Sequence, residues 1–213
     1  MTSKFLYFAL KFVLVAISIM TFSTYAQNST STWKMQIGLG INHFMDSDQN
    51  QGYEFKGSNF PSINLGLQYM FKRNFGAKLD FGYNRASSAS HSPEFKVNYS
   101  RVNAQGVYDF SKFVGVLPER LRAVAHAGPG LTFSNPLGQF RENKYTFLNI
   151  LAGLELHYGI SSALSVYGDV SYIMGLSGAD KYNPEMDGFS FNGNILTVGV
   201  GISVSLSGCM YCK

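Results

Sequence analysis

Acidic, basic and histidine side chains recur at even spacing in several stretches of the sequence, and such groups could transfer protons or bind ions. Residues two or four positions apart lie on the same face of an extended chain. The candidates that share a face in this way are Lys34, Lys78, Asp80, Arg122, His126, Glu155, His157 and Asp169. They could form a proton or ion path, an acid/base site, or a buried polar network whose members satisfy one another.

Two further histidines lie in polar segments, where an enzyme could place a nucleophile and its base. His43 is close to Asp46. His91 lies among Ser87, Ser88, Ser90 and Ser92. Neither set matches a recognisable catalytic motif, and the sequence contains neither a phosphate-binding loop nor an H-E-x-x-H zinc signature. We therefore expect no catalytic, cofactor or metal site.

Two cysteines, Cys209 and Cys212, form a single C-x-x-C pair near the C-terminus. One such pair supplies only half of the ligands of a structural zinc site, and no βαβ pattern surrounds it that would indicate a redox motif. In an exported protein we expect a local disulfide between the two.

The elements that must position these groups are β-strands, because apolar and polar residues alternate with a period of two over most of the chain. In the last such stretch, for example, Leu196, Val198 and Val200 alternate with Thr197 and Gly199. Eight stretches follow the pattern: 33–44, 62–71, 75–84, 94–110, 121–133, 148–159, 164–174 and 196–206.

Two of these predicted strands contain an irregularity. In the fourth, the apolar phase of Phe95 and Val97 is opposite to that of Val102, which predicts a β-bulge near Ser100. In the fifth, Pro129 cannot donate a backbone hydrogen bond, so it is expected at a sheet edge or a bulge.

The apolar face of the eight stretches carries no Asp, Glu, Lys or Arg, whereas the other face carries four basic and four acidic residues. These are Lys34, Lys78, Arg101, Arg122, Asp80, Asp109, Glu155 and Asp169. A lysine or arginine facing lipid at the bilayer midplane costs about 2–4 kcal/mol, so the charge-free face is predicted to meet lipid. Aromatic residues near both strand ends suggest two interfacial girdles. A soluble lipocalin-like barrel, with its apolar face around a ligand cavity, is the alternative.

The links and the N-terminus favour the membrane alternative. Long polar links (45–59, 85–93, 134–146 and 175–191) and short ones (72–74 and 160–163) alternate for most of the chain, which is typical of an outer-membrane barrel. Residues 1–26 are predicted to be a secretory signal peptide, which leaves residues 27–206 for the barrel and 207–213 for a periplasmic tail. Without residues 1–26 the net charge is +2, which gives no reason to expect a nucleic-acid partner.

Five runs of the sequence carry a resemblance to a known family. They are FGAKLDFGYNR (75–85), NYSRVNAQGVYDF (98–110), LRAVAHAGPGL (121–131), LSVYGDVSYI (164–173) and DGFSFNGNILTVGVGISVSL (187–206). Together they resemble the outer-membrane-protein β-barrels of the OmpA/OmpX type, in the form found in Bacteroidetes. The resemblance implies an all-β fold: an eight-stranded antiparallel up-and-down transmembrane β-barrel in the outer membrane of a Gram-negative bacterium. The last strand departs from the family by ending at Leu206 where an aromatic residue is common.

The interior of an eight-stranded barrel is only wide enough for side chains, which favours the self-satisfied polar network over the proton path and the acid/base site. We expect a non-enzymatic protein with a structural role in the cell envelope, or one that binds partners or adheres through its extracellular loops. A small channel is the first alternative and an enzyme acting at the outer rim the second. The expected partners are outer-membrane lipid and lipopolysaccharide, with envelope proteins or surface ligands at the loops. The expected state is a monomer or a subunit of a larger complex, with both termini periplasmic and no cofactor.

Overall fold

The computed structural model describes residues 32–45, 53–115, 117–118, 120–176 and 193–206, which form a closed barrel of eight antiparallel strands. The strands are β1 (Thr32–Phe44), β2 (Asn59–Met70), β3 (Phe75–Ser87), β4 (Lys96–Asp109), β5 (Leu121–Pro136), β6 (Tyr145–Gly159), β7 (Leu164–Gly175) and β8 (Ile195–Ser205). The predicted signal peptide, and the tail with Cys209 and Cys212, lie outside the described residues.

The strands follow one another around the barrel in sequence order, and β1 pairs with β8 to close it. The closing ladder runs from Lys34 opposite Ser205 to Phe44 opposite Ile195. Every strand therefore has a neighbour on both sides, so the barrel has no exposed sheet edge. The predicted up-and-down topology is confirmed.

Side chains alternate between the outside and the interior along the strands. Outward residues are apolar and exposed, with exposed fractions of 57% for Leu154 and 70% for Val200. Many inward residues are polar and buried, among them Gln36, Asn103 and Thr197. This arrangement is the inverse of a soluble domain and agrees with the predicted orientation of the two faces.

The predicted β-bulge near Ser100 is wrong. β4 pairs with β3 in unbroken register from Lys96 to Tyr108. Phe95 and Val97 are buried in the interior, so the phase change in the sequence marks a change in the chemistry of the interior, not in the pleat. The register shift that the described strands do contain lies between Gly40 and Asn42 of β1.

Pro129 lies in the middle of β5, at neither an edge nor a register shift. It is opposite Ile150 in an unbroken register with β6. The ladder between β5 and β4 has a gap at this point, with Ala127 and Gly130 as the nearest β5 residues paired to β4. Since proline lacks an N–H, the ladder is interrupted on one side only, and the pleat of β5 continues.

The links divide into two sets at opposite ends of the barrel. One end, which we call the turn end, carries the links 71–74, 110–120 and 160–163, and the second of these contains the short helix α1 (Ser111–Val114). The other end, the loop end, carries the links 45–58, 88–95, 137–144 and 176–194. In the described part of the chain, no helix has the length and apolar character needed to cross a membrane.

Aromatic rings surround the outside of the barrel near the turn end. Trp33 contacts Tyr69, and Phe75 contacts Tyr108, each with ring centroids 4.7 Å apart. Rings of this kind are favourable where hydrocarbon gives way to lipid headgroups, because they combine an apolar body with a polar edge. They mark one interface of the predicted lipid-facing band.

We expect Val200→Lys to impair insertion and folding by about 2–4 kcal/mol, because Val200 projects outward from the middle of β8, where a charge would meet hydrocarbon. The matched control is Val204→Lys on the same face near the turn end, which should cost less, since the penalty declines toward the interface. The measurements are the folded fraction, from heat-modifiable electrophoretic migration, and the free energy of unfolding in urea. Equal folding of Val200→Lys and the parent would contradict the assignment of this face to lipid.

Candidate functional site

The Glu155 carboxylate on β6 is the centre of a bonded cluster inside the barrel. Lys78 crosses the interior from β3 and donates to Glu155 Oε1 at 2.6 Å. Gln36 donates to Glu155 Oε2 at 2.9 Å, and His157 Nε2 lies 2.7 Å from the same oxygen. The Lys78 and Glu155 side chains are only 4% and 2% exposed. A buried ion pair requires such additional hydrogen bonds to offset its loss of hydration, and Glu155 has them.

Asp169 on β7 forms a second cluster beside the first. Its Oδ2 lies 2.9 Å from His126 Nε2, and its Oδ1 accepts a hydrogen bond from Ser171 at 2.7 Å. His126 Nδ1 is 2.7 Å from Gln105 Oε1. Because His126 Nε2 is also 3.8 Å from Glu155 Oε1, the two clusters form one network.

Arg101 on β4 belongs to the same buried layer, although the predicted set of network residues did not include it. Its guanidinium donates to Asn64 Oδ1 at 2.7 Å and lies 3.6 Å from Asp80 Oδ2. Arg101 lies four residues from Gln105 in the same strand, so the two share the inward face. This parity could have identified Arg101 as a network residue. We refer to the whole layer as the central network: Gln36, Asn64, Lys78, Asp80, Arg101, Gln105, His126, Glu155, His157, Asp169 and Ser171.

Two predicted members, Lys34 and Arg122, lie closer to the turn end. Arg122 is opposite His157 in the register, but its Nη1 is 3.1 Å from Asp109 Oδ2. Asp109 also accepts a hydrogen bond from the backbone N–H of Ser111 at 3.1 Å, at the start of α1. Lys34 is half-buried near the start of β1. The structure thus brings six of the eight predicted residues into the central network.

The central network contains a set of atoms of metal-ligand type, since His126, Glu155 and Asp169 place such atoms within 4.8 Å of one another. The Lys78 ammonium is already there, 2.6 Å from Glu155 Oε1, and it would repel a metal cation. The remaining space inside the network is about 20 Å³, enough for roughly one water molecule. The geometry therefore fits a filled network better than a metal centre or an open path.

The interior changes from polar to apolar toward the loop end. Phe44 stacks on Phe55 with centroids 4.9 Å apart, and Phe55 meets Phe95 edge-on at 5.1 Å. We call this apolar cluster the aromatic plug: Phe44, Phe55, Ala86, Phe95, Val97, Tyr99, Phe147, Leu151, Ile173 and Ile195. An apolar layer offers water and ions little replacement for their hydration, and the interior is apolar where it approaches the loop end.

The aromatic plug was not predicted from the sequence, because every apolar face was assigned to lipid. Phe95 and Val97 lie at odd positions of the sequence, as does the inward-facing Arg101. This shared parity could have indicated that both apolar side chains face the interior. Phe55 lies in a link, where no alternation of residues predicts the direction of its side chain. An isolated β-bridge pairs it with Ser88, and its side chain is buried in the plug.

Both rim histidines, His43 near the end of β1 and His91 in the second loop-end link, contact the first loop-end link. His91 Nε2 contacts Glu54 Oε2, and His43 Nδ1 is 2.5 Å from the carbonyl oxygen of Gly57. Within the described residues, neither histidine is hydrogen-bonded to a serine hydroxyl, which is the contact that activates a serine nucleophile. Asp46, the predicted partner of His43, lies outside the described residues.

Comparisons with known proteins agree with this architecture. A family model described as outer membrane protein beta-barrel domain matches residues 12–211. No curated protein matches the sequence.

Solved structures give the same result at low identity. Neisserial surface protein A is 13% identical, with a TM-score of 0.55 over 83% of this chain and 97% of that one. OprG from Pseudomonas aeruginosa is 13% identical, with a TM-score of 0.54 over 84% and 97% of the two chains. A major outer membrane protein from Thermus thermophilus is 10% identical, with a TM-score of 0.60 over 83% and 100%. At these identities the likeness shows a shared fold.

We expect Lys78→Met to lower the free energy of unfolding by about 3–5 kcal/mol, because it leaves the buried Glu155 carboxylate without its cation. Adding Glu155→Gln removes that charge and should restore part of the loss, which urea unfolding in lipid vesicles would measure. Lys72→Met, in an exposed turn-end link, is the matched control and should change stability by less than about 0.5 kcal/mol. If Lys78→Met were as stable as the parent, the ion pair would not be a major support of the interior.

Proposed function

The chain belongs to the family of outer membrane protein β-barrel domains, and from this membership we propose that it is a closed, non-enzymatic barrel of the bacterial outer membrane. Its role is to contribute to the envelope as a membrane-spanning structure and to hold a fixed surface at its loop end for contact with partners. Both chain termini lie on the periplasmic side, so the loop end faces outward from the cell. It acts as a monomer or as a subunit of a larger complex.

The observation that carries this proposal is the aromatic plug. It fills the loop end of the interior with buried apolar side chains, whereas a channel needs a continuous polar path. Below it, the central network fills the middle of the barrel. Two filled layers in series favour a structural barrel over the small channel.

The same plug supports a fixed loop surface. Tyr53 and Phe140, from two different loop-end links, pack against it and meet with ring centroids 5.8 Å apart. Backbone hydrogen bonds hold the first link against the end of β3, from Lys56 N to Ser87 O at 2.9 Å, and against the second link, from Ala89 N to Glu54 O at 2.8 Å. A surface held in this way presents its groups with little loss of entropy on binding.

We take the contacts of the rim histidines to be structural contacts of the loop end. His91 contacts the Glu54 carboxylate and His43 contacts the carbonyl oxygen of Gly57. An acyl-transfer site needs its base within reach of the nucleophile that it activates. The serine-rich segment beside His91 is better explained as part of the link that contacts Glu54.

We expect the reconstituted parent protein to give no conductance above the lipid background in planar bilayers, because both filled layers must open before an ion can pass. A porin measured in the same bilayers is the positive control. Stepwise conductance that depends on folded protein would contradict the closed barrel and favour the small channel.

The orientation can be tested by labelling intact cells with a membrane-impermeant thiol reagent. In a Cys209→Ser/Cys212→Ser background, Gln139→Cys at the loop end should be labelled, because this exposed residue is proposed to face outward. The matched variant Arg73→Cys, exposed at the turn end, should react only after the outer membrane is permeabilised. The reverse pattern would invert the proposed topology.

A further inference from the structure

Arg85 is held in a fixed position on the outer surface of the barrel, close to the loop end. Its Nε donates to Asn98 Oδ1 at 2.9 Å, and its Nη2 donates to the Tyr83 hydroxyl at 3.1 Å. The Tyr83 hydroxyl in turn donates to the same Asn98 oxygen at 2.8 Å. Three side chains from two paired strands therefore form a closed triangle around the guanidinium.

This triangle leaves most of the guanidinium available to a ligand. A guanidinium has five N–H groups, and the described contacts of Arg85 use two of them. The other three include both N–H groups of Nη1, and the side chain is exposed. Because the triangle fixes the fork, an anion that binds it does not have to order a flexible arginine.

The surroundings place Arg85 at the edge of the lipid-facing band. One row closer to the turn end, Tyr83 and Phe133 both lie opposite Ser100 in the register and face outward. Arg85 is opposite Asn98, which is opposite Asn135. The outer surface therefore changes from aromatic to polar at the row of Arg85, as it does where hydrocarbon meets headgroups.

A second cation, Lys96, lies near Arg85, and a cleft adjoins that cation. Lys96 lies opposite Ser87, on the same face as Asn98 and two residues from it, so it is a diagonal neighbour of Arg85 at about 7–8 Å. Lys96 also lines a cleft of about 420 Å³ between two loop-end links. The other lining residues are Glu94, Phe95, Leu137, Gly138 and Gln139.

We propose that Arg85 and Lys96 bind a phosphate group of a phosphorylated glycolipid, with an adjoining sugar of its headgroup in the cleft. Arginine forks match phosphate oxygens in a bidentate manner, and the position of Arg85 at the edge of the apolar band suits a phosphate at the membrane surface. Leu137 supplies apolar surface for a sugar ring, while Glu94 and Gln139 supply groups for its hydroxyls. The assignment of the ligand to the outer leaflet rests on the proposed outward orientation of the loop end. The geometry of Arg85 and Lys96 does not depend on that orientation.

The test is lipid retention by the purified full chain in native mass spectrometry. The probes are bisphosphorylated lipid A, dephosphorylated lipid A and phosphatidylglycerol. The parent should retain bisphosphorylated lipid A. Arg85→Gln should reduce that retention about tenfold or more, as expected for the loss of a charge-assisted bidentate contact. Lys96→Gln should reduce it less, because its ammonium is shared with Glu94 at 3.3 Å.

Two controls make the result specific. Arg73→Gln removes an exposed cation at the turn end and should leave retention unchanged, and heat-modifiable migration shows whether each variant is folded. Arg85→Lys keeps the charge but loses the fork, so its retention should be intermediate. Equal retention by folded Arg85→Gln and the parent would overturn the site. Equal retention of phosphatidylglycerol and bisphosphorylated lipid A would overturn the sugar cleft. Neither outcome affects the closed barrel, which conductance tests separately.

Discussion

The requirement that every backbone N–H and C=O inside a membrane has a partner determines most of this structure. Hydrocarbon offers no hydrogen bonds, so strands can cross it only as a closed ladder. The ladder between β1 and β8 satisfies this condition by joining the first and last strands of the chain. The registers of the eight ladders together determine which side chains face inward. Even Pro129 obeys this register, since the ladder is interrupted only on its β4 side.

Closure creates the second constraint, which is a narrow interior that has to be filled. The chain fills it with two chemically different layers. The central network brings buried charges into contact, and its Lys78–Glu155 ion pair is supported by hydrogen bonds from Gln36 and His157 to the same carboxylate. The aromatic plug depends on apolar packing and contains side chains from the links as well as from the strands. Because Phe55 and Phe95 are part of both the plug and the links, the order of the interior extends to the surface at the loop end.

The sequence predicted the strands, their order and the faces they present, because a period of two is a local property of the chain. It also placed Glu155 and Asp169 on the inward face, since parity alone decides that. It could not predict which inward groups bond, because Lys78 and Glu155 are far apart in sequence and meet only across the closed barrel. The bulge predicted near Ser100 was wrong for a related reason. Parity identifies a face, but whether an apolar face meets lipid or the interior depends on the layer that it helps to form.

The size of the inward side chains explains why glycine is frequent on the inner face. A Cβ added at Gly82 would lie 2.1 Å from Arg101 Nη1, and one at Gly201 would lie 2.6 Å from Tyr167 Cζ. Distances this short are incompatible with the present positions of the larger side chains, which are held in the same crowded interior. Glycine on one strand is therefore the counterpart of a large side chain on a neighbouring strand. The small, uncharged residues on the inner face of β8 therefore leave room for large side chains of neighbouring strands, such as Tyr167.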